Sequence, residues 1–97
     1  MLVYRATAVV KKGRLDEAVA LDKAEWERMS PPHGFRMYVP VIGPRDVFAI
    51  EVEFESLSEY ERFRAEKLTT AEHAAFAERT YELLETGGCT EIWRLVQ

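Results

Sequence analysis

Two histidines and a single cysteine are where acid–base, metal or nucleophilic chemistry could begin in this chain. His73 sits near the start of the second helical region. An imidazole there could act as a base or ligand near neutral pH. The plainer reading is a helix-face or capping histidine, because nothing close in sequence partners it. His33 follows Pro31-Pro32 and reads as a loop residue, far from His73 in sequence. The pair therefore has no metal-ligand spacing, and neither His-Glu-x-x-His nor Cys-x-x-Cys occurs. Cys89 follows Gly87-Gly88 without an activating histidine, so it reads as neither a nucleophile nor half of an internal disulfide. No glycine-rich phosphate loop and no serine nucleophile elbow is present.

The charged residues on strand-like segments are the second candidate set. Arg5, Arg36, Arg94, Glu51 and Glu53 could form a polar lining that orients an anionic or phenolic ligand. The competing reading is an ion network at a dimer interface plus solvated edge charges. Glu51 and Glu53 could serve as bases only where burial raises a carboxyl pKa. Trp26, Tyr38, Tyr60, Phe63, Phe76 and Trp93 could wall an apolar pocket, although aromatics at such spacing more often fill a core. The candidate ligand-binding residues are thus Arg5, Tyr38, Glu51, Glu53, His73 and Arg94, with His73 the sole catalytic candidate and no metal or cofactor implied.

The elements that must position these groups follow from periodicity. Leu2 to Val10 alternates as a strand, with Leu2, Tyr4, Ala6 and Ala8 on one face and Val3, Arg5, Thr7 and Val9 on the other. From Arg14 to about Ser30, Leu15, Ala18, Val19, Asp22, Trp26 and Met29 follow helical spacing, and Pro31-Pro32 stops the helix. Gly34 to Ile42 reads as a strand, placed at an edge by Pro40. Val47 to Glu55 alternates Phe48, Ile50, Val52 and Phe54 against Glu51, Glu53 and Glu55. Ser56-Leu57-Ser58-Glu59 and Thr69-Thr70-Ala71-Glu72 have capping-box spacing, which predicts a helical region broken near Leu68. Gly87-Gly88 is expected to end it, with Thr90 to Val96 as the last strand. The order βαββαβ predicts one α+β, ferredoxin-like domain over residues 1–97, a four-stranded antiparallel sheet with both helices on one face.

The uncovered face carries the functional argument. If the helices cover the Phe48, Ile50, Val52, Phe54 row, the open side holds Val3, Arg5, Thr7, Val9, Val47, Ala49, Glu51 and Glu53. Arg5 is then expected to pair with Glu51 or Glu53. A thin core in 97 residues and a mixed open sheet together predict a two-fold homodimer with its sheets face to face. The net charge of −4 and those carboxylates argue against a nucleic-acid partner, including RNA-binding modules of the same topology. No apolar run approaches the roughly 20 residues of a membrane helix, and no cationic stretch followed by an apolar run opens the chain. Cytoplasmic localisation is the expectation. A regulatory amino-acid-binding domain shares the topology but usually accompanies a larger partner domain.

At this point the chain resembles the dimeric α/β-barrel proteins, particularly NIPSNAP-like and antibiotic-biosynthesis-monooxygenase-like domains. The resemblance spans nearly the whole chain. It rests on length and element order, on Lys12-Gly13-Arg14-Leu15-Asp16-Glu17, on Glu53-Phe54-Glu55-Ser56-Leu57-Ser58-Glu59-Tyr60, and on His73-Ala74-Ala75-Phe76 as a His-x-x-Phe stretch. It implies a homodimer whose sheets form a barrel. Some such proteins oxidise aromatic polyketides or quinols without a cofactor, and some degrade haem. The haem-degrading members use an Asn, a Trp and a helical His; this chain has no asparagine, and only His73 matches. The leading expectation is a small-molecule-binding dimer with its cleft between sheet and helices. The alternatives are a cofactor-independent monooxygenase for an aromatic or quinol, and a structural subunit without catalysis.

Overall fold

Strict alternation builds the centre of the sheet, where β1 (Leu2–Val10) and β3 (Val47–Phe54) lie side by side antiparallel. The computed structural model describes residues 1–96. The remaining elements are α1 (Leu15–Met29), β2 (Phe35–Tyr38), α2 (Leu57–Phe63), α3 (Ala71–Tyr81) and β4 (Leu84–Arg94), with a π-helical turn at Arg64–Leu68 joining α2 to α3. The strand order is β2-β3-β1-β4 and every neighbouring pair is antiparallel, which is the ferredoxin-like α+β arrangement. Among the described residues no helix is long and apolar enough to cross a membrane.

The helices cover the expected face. Phe48, Ile50, Val52 and Phe54 bury against Trp26 and Met29 of α1 and Phe63 of α2. Val52 and Met29 are fully buried, each contributing roughly 1.5–3 kcal/mol. An aromatic cluster fills one part of this layer. Trp26 stacks on Phe63 at 6.1 Å between centroids, and Phe54 meets Tyr60 edge-on at 5.4 Å. Glu51 and Glu53 lie on the opposite face with Arg5, in the register Arg5↔Glu51 and Val3↔Glu53.

Three expectations shift. β2 is an edge strand as expected, yet it stops at Tyr38, well short of Ile42. Pro40 cannot donate to β3, and beyond it Val41 and Ile42 are 98% and 96% exposed. The second cap is displaced by one residue: Thr70 is the N-cap of α3, and its hydroxyl accepts from the His73 amide at 3.2 Å. The Ser56 cap stands, with its hydroxyl accepting from the Glu59 amide. Gly87-Gly88 does not end a helix; α3 stops at Tyr81, and the glycines lie inside β4, which begins at Leu84 rather than Thr90 and ends at Arg94 rather than Val96. Their role is non-local. A Cβ on Gly88 would sit 2.7 Å from the Thr7 carbonyl oxygen, and Gly87 has φ 115°, beside a register shift against β1. Only glycine allows so close a strand passage.

Candidate ligand cavity

Small side chains leave space beneath the helices. Ala6 and Ala8 of β1 and Ala18 of α1 face a cavity of about 190 Å³. Phe48 and Ile50 of β3, Leu68 of the π-helical turn, and Phe76 of α3 supply further apolar wall. The π-helical turn interrupts regular helix bonding, and the Thr69 and Thr70 hydroxyls donate to the Ala65 and Lys67 carbonyls there. Such turns recur at functional sites because they redirect one side chain without ending the helix. Here the redirected neighbourhood includes Leu68.

Five polar residues interrupt the apolar wall: Tyr4, Thr7, Asp22, His73 and Thr80. The Thr80 hydroxyl is occupied with the Phe76 and Ala77 carbonyls of its own helix. Asp22 is the unusual group. Burial pushes its carboxyl pKa up to about 7; a hydrogen bond from the Trp26 indole partly opposes this, and nearby Glu25 adds to it. Burial likewise raises the Tyr4 phenol, against a hydrogen bond with Thr90. The cavity is therefore apolar space with a carboxyl group poised to gain or lose a proton near neutral pH.

His73 enters from α3 and meets α1. Its Nδ1 lies 2.7 Å from Oε2 of Glu25. Arg28 grips the same carboxylate with two bonds, Nε to Oε1 and Nη2 to Oε2, both 2.8 Å. The Glu25 side chain is only 5% exposed. The Arg28 bonds hold its carboxyl below the usual range despite burial, and His73 adds to that. On the α1 helix, Ala18, Asp22, Glu25 and Met29 fall at alternating four- and three-residue steps, one continuous stripe. Two carboxylates on that stripe were the available signal for this site. The periodicity placed Asp22 among the apolar positions without assigning it chemistry, and passed over Glu25 altogether.

The candidate ligand residues do not converge on one place. Arg5, Tyr38, Glu51 and Glu53 share the open face. Arg5 binds the Glu51 carboxylate, the Tyr38 hydroxyl donates to Glu51 at 3.1 Å, and Arg36 lies 3.5 Å from Glu53. Glu91 of β4 flanks Arg5 in register, so this face is a paired charge layer. His73 stands across the sheet from them, in the cavity. Arg94 pairs in register with Leu2 at the end of β4, and it lines the same shallow open-face groove as Arg5 and Glu51. His33 is a loop residue as expected, bonded through Nε2 to Glu59 at 3.0 Å. Cys89 is exposed, and among the described residues no group of three or more His, Cys, Asp or Glu is placed to hold a metal.

Compared by sequence, the chain matches no family model and no curated protein. Compared by structure, it is similar to several solved proteins over essentially its whole length. Protein Atu4242 of Agrobacterium tumefaciens, described as a NIPSNAP family protein with unknown function, superposes with a TM-score of 0.84 at 18% identity, over 100% of this chain and 95% of that one. An uncharacterised NIPSNAP domain protein of Burkholderia xenovorans gives 0.81 at 16% identity, over 99% and 95%. A structure described as an antibiotic biosynthesis monooxygenase gives 0.76 at 15% identity, over 100% of both chains. At these identities the likeness is one of fold. The chain thus has the ferredoxin-like α+β fold of NIPSNAP and antibiotic-biosynthesis-monooxygenase structures, the neighbours its sequence resembles.

Proposed function

We propose that the protein is a cytoplasmic homodimer that binds a small, flat, largely apolar molecule in the cavity beneath its helices. One observation carries this reading: an apolar cavity walled by Phe48, Ile50, Leu68 and Phe76 with a half-buried, titratable Asp22 in its wall. Small-molecule sites combine mostly apolar walls with a few convergent polar groups in this way. A dry apolar cavity of about 150 Å³ accepts benzene in another protein; the 190 Å³ here suits a single substituted ring. A hydroxyl on that ring has Asp22 and His73 as partners. Calorimetry with phenol and with toluene tests the reading. Phenol saturating one site per chain, with binding lost in Ala8→Leu, is the expected outcome; no heat from either ligand overturns it and leaves a structural subunit.

The dimer is proposed through the open face. Trp93 lies there in register with Val3 and is 58% exposed, beside a shallow groove that also includes Arg5, Glu51 and Glu91. Two such faces present apolar residues around self-paired charges, which suits a two-fold contact. Light scattering giving twice the 11.2 kDa chain mass supports this, and the monomer mass contradicts it.

A second reading is a cofactor-independent monooxygenase for a phenol or quinol. It is favoured by the two proton acceptors, Asp22 and His73, on the same cavity. Ionising a phenol raises its electron density toward oxygen. Oxygen uptake across a panel of hydroquinones distinguishes it from binding alone, and none across the panel counts against it.

A further inference from the structure

The Glu25–His73 contact fixes more than a ring position. Both oxygens of Glu25 are occupied, Oε1 by Arg28 and Oε2 by Arg28 and His73. A carboxylate facing Nδ1 accepts a proton carried there, so the neutral imidazole keeps its lone pair on Nε2. His73 lines the cavity, and among the described residues no protein group hydrogen-bonds Nε2. The ring is further held by Phe76 at 5.4 Å between centroids. The backbone beneath it is fixed by the Thr70 cap. A carboxylate, an oriented imidazole and an open ring nitrogen at a cavity wall form a base–orienter pair.

Resting on the cavity reading above, we propose that His73 Nε2 takes the hydroxyl proton of a phenol bound in the cavity, and that Glu25, clamped by Arg28, is the residue that positions it. The phenol O–H bond breaks and an Nε2–H bond forms. The phenolate stays beside the imidazolium, whose Nδ1–H remains on Glu25. No oxidant or second reactant takes part. The charged and titratable groups around the pair are Asp22, Glu25 and Arg28 from α1, Tyr4 from β1, and Glu72 from α3, which acts on Arg28. Asp22 favours a phenolate when protonated and opposes it when ionised. The ligand class this selects is a phenol made acidic by an electron-withdrawing substituent.

The probes are 4-nitrophenol, whose ionised form has its own long-wavelength absorption band, and 4-nitroanisole, which has the same ring and no proton to give. At about pH 6, bound 4-nitrophenol is expected to show the phenolate band in the wild-type protein. His73→Gln should abolish the band, and Glu25→Gln should weaken it about tenfold, as loss of an orienting partner does elsewhere. Affinity for 4-nitroanisole should change less than about twofold in both variants if the cavity is intact. Nitrogen NMR of the wild-type His73 ring needs no variant and should report the proton on Nδ1. The proposal is overturned if wild-type protein binds 4-nitrophenol only in its neutral form, if the band survives His73→Gln, or if the ring proton sits on Nε2. Failure of 4-nitroanisole to bind the wild-type protein overturns the cavity reading itself.

Discussion

Replacing Asp22 with asparagine should stabilise the protein in mildly alkaline solution while leaving it nearly unchanged in acid. The Asp22 carboxyl has a pKa near 7 in the fold against 3.8 for the free group, because burial disfavours its charge. The folded chain therefore binds this proton more tightly than the unfolded chain. The stabilising contribution of that proton is complete below pH 3.8, falls as pH rises, and is gone above about 7. Each pH step across this window is worth about 1.4 kcal/mol, giving an upper bound of about 4 kcal/mol. Asp22 keeps partial contact with solvent, so about 2–4 kcal/mol is expected. Asparagine has nearly the same shape, can accept from the Trp26 indole, and carries no titrating proton. Urea unfolding of both proteins across the range from pH 4 to pH 8 reads the difference directly. Carboxylates remote from Asp22 contribute alike to both proteins and cancel in that difference. A wild-type-to-variant gap that stays flat with pH would refute the reasoning, since Asp22 would then ionise alike in both states.

Filling the cavity should separate binding from stability. Ala8→Leu, extending into the free volume, should abolish phenol binding while changing stability by less than about 1.5 kcal/mol, measured by calorimetry and thermal unfolding. Gly88→Ala forces a methyl within 2.7 Å of the Thr7 carbonyl and should cost roughly 1–3 kcal/mol in urea unfolding; a neutral result would mean β4 does not pass so close to β1. Trp93→Glu adds a charge next to Val3 on the face proposed as the dimer contact and should turn a particle of twice the chain mass into one of the chain mass in sedimentation, without unfolding; an unchanged mass would contradict that contact.

Much of the fold was legible because its signals are local. The Phe48-x-Ile50-x-Val52-x-Phe54 alternation fixed which face of β3 is buried, and the parity of β1 then placed Arg5 opposite Glu51. Pro40 marked the edge strand. Signals that depend on distant neighbours misled. Gly87-Gly88 looks like a helix stop in isolation, whereas its purpose is a close passage over Thr7. Ala6 and Ala8 were placed on one face of β1 by alternation alone, which carries no sign that they floor a cavity. The site shows the same division. His73 stood out by residue type, while Glu25 looked like one more helix charge until α3 brought a histidine against it. The open-face set of Arg5, Tyr38, Glu51 and Glu53 is internally paired, which leaves the polar groups of the cavity better placed for a ligand.

The most direct test is an amide NMR titration of the labelled protein with phenol. Binding beneath the helices should shift the signals of Ala6, Asp22, His73 and Thr80, which surround the cavity, and leave those of Arg5, Glu51 and Trp93 in place. Shifts confined to the open-face residues, or none at saturating phenol, would contradict a ligand site beneath the helices.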